Sequence, residues 1–133
     1  MTMMDTQELK IVAILHDAIE KGSLEWEELG AAGFSPEIIA AIDALTDRDG
    51  ETPEESLERV RHNRLAIRVK LADLYDNADP ERLQVLSEKK QSQLRAKYER
   101  KATALGTTIA AIRSESIDCD ALVDSVLAES AAR

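Results

Sequence analysis

The chain has 133 residues, of which 44% are hydrophobic and only 3% aromatic, and its formal net charge is −9. The length predicts one domain, and a core built from Leu, Ile, Val and Ala favours packed helices over a β-sandwich. The acidic balance excludes a duplex nucleic-acid binder of the usual kind, because neutralising phosphates requires clustered cations. A small anionic substrate remains compatible with the acidic net charge if a metal ion, or a local group of Lys and Arg, makes the electrostatic potential at the binding site positive.

The single cysteine, Cys119, excludes an intramolecular disulfide and fits a reducing cytosol. The N-terminal sequence has no cationic segment followed by a long apolar run, so it does not predict a signal peptide. No apolar stretch is long enough to cross a bilayer. We therefore expect a cytoplasmic protein with no membrane partner.

Helical periodicity predicts the elements of the first half of the chain. The expected helices lie at about 6–21, 24–29, 35–46 and 52–60. Ser35-Pro36 and Thr52-Pro53 each place a capping hydroxyl before a proline, which is the pattern of a helix start. The polar segment 47–51 predicts a loop between these two helices, and Asn63 predicts a break after the second.

The second half predicts a further helix, a turn, a long helix and a last helical segment. Their expected bounds are 65–74, 76–80, 80–105 and 108–127, with a weak point in the last segment at 116–120. Apolar and charged residues partly alternate over 65–74, which leaves a strand open there, but Ala and Leu favour a helix. Together, the elements of the two halves predict an all-α, single-domain bundle of six to seven helices. Its main helical domain covers residues 1–105, and a C-terminal helical extension covers 106–133.

Polar residues within apolar helical faces carry the chemical signal, since burying them costs free energy unless they are paired or bind a ligand. His16 and Asp17 lie within VAILHDAI, and Asp73 lies within VKLADL. An imidazole and two carboxylates suit a divalent metal, and adjacent helical residues point about 100° apart, so the pair can approach an ion from two sides. Glu20, one turn after His16, is placed to act as a general acid or base. The alternative is a structural His–Asp pair with no ligand.

The segment IVAILHDAIE (residues 11–20) resembles the HD-containing helix of the HD-domain metal-dependent phosphohydrolases. The similarity continues in register through residues 24–51, 56–77 and 97–105. The pairing of an HD dipeptide with a downstream VKLAD and a following Asn is specific to this group. The branch it resembles most hydrolyses the stringent-response alarmones, which are guanosine polyphosphates. The resemblance implies an HD-domain-like helical fold and hydrolysis of a nucleotide or related phosphate ester.

The resemblance also implies roles for the matching residues. His16, Asp17 and Asp73 would ligate a divalent metal, which we expect to be manganese, with iron, magnesium or zinc as alternatives. Glu20 would correspond to the catalytic acid. Substrate contacts are implied at Asn77, at Arg48 (alternatively a solvated loop cation) and at Lys70 (alternatively a partner for a carboxylate).

Two departures from the family pattern bear on activity. The first metal-ligating histidine of the family lies in an HP motif well before the HD pair, but only fifteen residues precede His16. We therefore expect an N-terminally short site with three of four ligands. We also expect uncovered apolar surface, which either homo-oligomerisation or the C-terminal segment 108–128 would bury. Glu20 is followed by Lys21, where alarmone hydrolases carry a second acid. The alternatives are an active phosphohydrolase, a catalytically degenerate HD domain that senses a nucleotide or binds a protein, and a plain helical bundle.

Overall fold

The computed structural model describes residues 7–114 and 119–131, and every regular element within them is an α-helix. The all-α prediction is therefore confirmed for the described residues. These residues form nine helices: α1 (Gln7–Glu20), α2 (Trp26–Ala31), α3 (Pro36–Leu45), α4 (Pro53–Val60), α5 (Arg64–Asn77), α6 (Pro80–Leu83), α7 (Glu88–Leu105), α8 (Ile109–Ile112) and α9 (Cys119–Ala131).

Side-chain capping explains where several helices begin. Ser35 and Thr52 each accept a hydrogen bond from a backbone N–H in the first turn of the helix that they open, at 3.3 and 3.1 Å. Both predicted starts are therefore confirmed. Asn63, predicted as a break, caps α5 by accepting from the Ala66 amide at 2.9 Å. The segment for which the sequence leaves a strand open is thus helical.

The helix number exceeds the predicted six to seven, partly because the long helix expected at 80–105 is divided. The first piece, α6, has only four residues, and its Leu83 enters the interior with 4% of its surface exposed. Ser87 then caps α7 by accepting from the Lys90 amide at 3.2 Å. The sequence around Ser87 is polar and favours a helix, so its pattern does not indicate that a new helix begins there. The predicted start at residue 6 and most of the weak point at 116–120 lie outside the described residues.

One hydrophobic core joins the described parts of the chain, and α5 lies at its centre. Ile67 and Leu71 of α5 have no exposed surface, and this helix contacts α1, α3, α4, α7, α8 and α9. The segment predicted as an extension, 106–133, contributes to the same core, since Ile112 and Val126 are also fully buried. The described C-terminal helices, α8 and α9, therefore pack as part of the bundle.

Apolar side chains remain on the surface at four large residues of the described chain: Ile14, Trp26, Val85 and Leu86. Ile14 is 67% exposed and lies on the same helix as His16. Homo-oligomerisation through such surface stays a prediction. Within residues 7–114 and 119–131, no helix has the length and apolar character needed to cross a membrane.

Arg59 of α4 links the loop between α3 and α4 to the end of α3. Arg59 donates to the carbonyl oxygens of Ala44 at 3.2 Å and Thr46 at 2.8 Å, and it forms an ion pair with Glu51. The pair is largely buried, with 24% of the arginine and 11% of the glutamate side chain exposed. The hydrogen bond from Arg59 lowers the pKa of the Glu51 carboxyl below its ordinary value of 4.5, although burial opposes the shift.

We expect Leu122→Ala to lower the free energy of unfolding by about 2–5 kcal/mol, because Leu122 of α9 is 6% exposed and packs in the shared core. Urea unfolding measures the change. Val85→Ala is the control, since Val85 is 80% exposed and its truncation should cost less than about 0.5 kcal/mol. Equal, small effects of the two substitutions would contradict the docking of α9.

We expect Glu51→Gln to destabilise the fold at neutral pH, because a lowered folded-state pKa means that the ionised carboxylate stabilises the fold above about pH 4.5. That contribution is lost as the pH falls through the folded-state pKa. The difference in unfolding free energy between wild type and variant should therefore shrink from about pH 7 to about pH 3. Urea unfolding at both pH values measures it, with Glu54→Gln as an exposed control in the first turn of α4. A difference that stays constant would rule out the assigned ion pair.

Candidate functional site

Helices α1 and α5 form most of the wall of a cavity of about 200 Å³. His16 and Asp17 reach it from α1, and Lys70 and Asp73 reach it from α5. The remaining lining residues are Ala13, Leu45, Val69, Ala72 and Asp76. All three residues predicted as metal ligands therefore line one cavity, although the pair and Asp73 belong to helices far apart in the sequence.

The His16 side chain is the most buried polar group of the three, with 19% of its surface exposed. Its Nε2 atom lies 3.0 Å from Oε1 of Glu20, one turn later on α1. The contact has the distance of an ion pair but not the direction of a hydrogen bond. Nε2 has almost no accessible surface and makes no hydrogen bond to any residue that the structure describes. A ligand in the cavity would therefore reach Nε2 only after a movement of the His16 side chain.

Along α5, three charged residues recur at every third position and line the same cavity: Lys70, Asp73 and Asp76. Asp73 is held from two sides, because its Oδ1 accepts from Nδ2 of Asn77 at 3.0 Å and its Oδ2 lies 3.8 Å from Nζ of Lys70. Half of the Asp73 side chain is exposed, so this ion pair contributes little to stability. Its main effect is to orient the carboxylate at the cavity wall.

Asp76 is a cavity residue that sequence reasoning missed. Its three-residue spacing from Asp73 is the signal that would have placed it on the same helical face. The sequence instead predicts a turn beginning at Asp76, whereas α5 continues to Asn77. One of the three carboxylates that line the cavity, that of Asp76, was therefore not predicted.

The other predicted site residues lie at different distances from the cavity. Glu20 and Asn77 do not line it, but each contacts a residue that does, His16 and Asp73 respectively. Arg48 lies in the loop between α3 and α4, where its Nη2 donates to Asp43 at 2.9 Å. The structure thus does not bring Arg48 to the cavity.

The donor types around the cavity fit a divalent cation, since they include one imidazole and several carboxylates. The positions of these donors fit a cation less well than their chemical types do. Among residues 7–114 and 119–131, no three His, Cys, Asp or Glu side chains lie close enough together to hold one ion. Lys70 also adds a positive charge to the same wall. A bound cation therefore requires side-chain rearrangement at this cavity, or a further ligand from elsewhere.

No protein-family model, curated protein or solved structure matches this chain. The resemblance of residues 11–20, 24–51, 56–77 and 97–105 to HD-domain phosphohydrolases therefore stays a prediction from the sequence. A function for the chain has to be inferred from the motifs together with the side chains that line the cavity.

Proposed function

We propose that the chain is a metal-dependent phosphohydrolase-like protein that acts on a nucleotide or related phosphate ester at the cavity between α1 and α5. The observation that carries this proposal is that His16 and Asp17 of α1 and Asp73 of α5 line the same cavity. The motif resemblance groups the same three residues as metal ligands. A guanosine polyphosphate-like substrate rests on the resemblance alone.

A divalent cation held by the three predicted ligands would act as a Lewis acid toward a phosphate oxygen of the substrate. The chain's own side chains contribute charge and proton transfer. Lys70 places a cation beside the carboxylates, which offsets their repulsion of an anionic substrate. Asn77 orients Asp73 through the 3.0 Å hydrogen bond. Glu20 contacts His16 and is 39% exposed, so it is positioned to exchange a proton between the site and solvent.

A second candidate is a catalytically degenerate domain that binds a nucleotide or a protein without hydrolysis. Two observations favour it: the described residues contain no assembled group of three metal donors, and Lys70 supplies fixed positive charge at the wall. A lysine can attract a phosphate without a metal, but it does not activate water as a metal does. Metal binding therefore separates the two candidates.

We expect Mn²⁺ to stabilise the wild-type protein, by about 2.7 kcal/mol at a metal concentration about 100 times the Kd. The effect should be largely lost in His16→Ala and Asp73→Ala, because each removes a ligand. Thermal and urea unfolding with and without Mn²⁺ measure it. His62→Ala is a matched control, since His62 is the other histidine and contacts Glu58 at 3.3 Å with the same four-residue spacing. A wild-type protein that Mn²⁺ leaves unchanged would refute the metal site.

We expect Glu20→Gln to lower turnover by about 10²–10⁴-fold, the usual contribution of general acid–base catalysis, while leaving Mn²⁺ stabilisation intact. Phosphate release from a panel of nucleoside phosphates and alarmones measures turnover. Glu27→Gln, an exposed acid on α2, is the control. Equal turnover of Glu20→Gln and wild type would remove Glu20 from the mechanism, and nucleotide binding without turnover in wild type would favour the degenerate domain.

A further inference from the structure

A second cavity, of about 230 Å³, adjoins the first, and Lys70 lines both. Its wall gathers three lysines from two helices: Lys70 of α5, and Lys97 and Lys101 of α7. The two α7 residues are one turn apart, so their side chains leave the same face of that helix. In a chain with a net charge of −9, this is a local concentration of positive charge.

The acidic residues of the second cavity are bound to other groups. Oδ1 of Asp47 accepts a hydrogen bond from Oγ of Ser56 at 2.7 Å. Glu51 is paired with Arg59, as described above. Neither of the two α7 lysines forms an ion pair with any residue that the structure describes, and Lys70 lies 3.8 Å from Asp73, at the long end of the ion-pair range. The three ammonium groups therefore have little carboxylate compensation within the described fold.

Holding these lysines together costs the folded state free energy. Lys101 is partly buried, and burial lowers the pKa of its ammonium group, with the charges of Lys70 and Lys97 acting in the same direction. Asp73 and Asp47 oppose this shift but do not reverse it. Because a lowered folded-state pKa means that the unfolded chain binds the proton more tightly, the charged form of Lys101 disfavours folding at neutral pH. A bound anion would relieve that cost.

We propose that the second cavity binds a phosphate group between the ammonium groups of Lys70, Lys97 and Lys101. Phosphate fits because it carries about 1.5 to 2 negative charges at neutral pH, and its oxygen atoms accept charge-assisted hydrogen bonds from several ammonium groups at once. A carboxylate would supply one charge and two oxygens. The proposal does not depend on a metal or on hydrolysis in the first cavity.

Inorganic phosphate is the probe, titrated into the full chain in EDTA at constant ionic strength and followed by calorimetry. The double variant Lys97→Gln/Lys101→Gln should bind phosphate at least about tenfold more weakly than wild type, which corresponds to one charge-assisted hydrogen bond. Lys89→Gln/Lys90→Gln makes the same charge change at exposed positions of the same helix and should bind like wild type. Equal weakening in both double variants, or no saturable binding by wild type, would overturn the proposal.

Two further variants separate this site from stability and from the proposed function. Lys101→Met keeps the apolar stem and removes the charge, so it should weaken phosphate binding while the protein stays at least as stable as wild type at neutral pH. Loss of stability with unchanged phosphate binding would overturn the proposal. His16→Ala should retain phosphate binding in EDTA, whatever its effect on Mn²⁺ binding, because His16 does not line the second cavity. Loss of phosphate binding in His16→Ala would overturn a separate site.

Discussion

The burial of α5 against six other helices is the constraint on which the rest of the structure depends. Ile67 and Leu71 have no exposed surface, so moving this helix would open the core on several sides at once. Its polar side chains are exposed or only partly buried. Three of them, Lys70, Asp73 and Asp76, are the charged residues that α5 contributes to the candidate site. The helix at the centre of the bundle therefore also holds part of the candidate site on a rigid support.

Lys70 lines both cavities, so its positive charge acts on both of them. In one direction it lies 3.8 Å from Asp73, within the cavity that His16 also lines. In the other it shares a cavity with Lys97 and Lys101. An anionic ligand would be repelled by the overall charge of −9 but attracted by this local field. The net charge is thus a poor guide to the ligand, since charges within a Debye length of the site dominate its potential.

The fold could be predicted from the sequence where the determining interactions are local. Ser35 and Thr52 accept bonds from amides three residues away, so a short motif is enough to locate those helix starts. The division of the helix expected at 80–105 was not predicted, although the Ser87 cap of α7 is equally local, because the polar composition around Ser87 favours a continuous helix. The position of Arg48 depends on its loop, which Arg59 ties to α3 from another helix.

By itself, the sequence determined the all-α class and most helix starts, and it singled out His16, Asp17 and Asp73 as polar residues within apolar helices. Those features are encoded over a few neighbouring residues, as periodicity and capping. Only the tertiary structure decided that Asp76 joins the same cavity wall and that Lys97 and Lys101 meet Lys70. These groupings join helices that are distant along the chain, and their relative positions follow from how all the helices share one core, which no local pattern records.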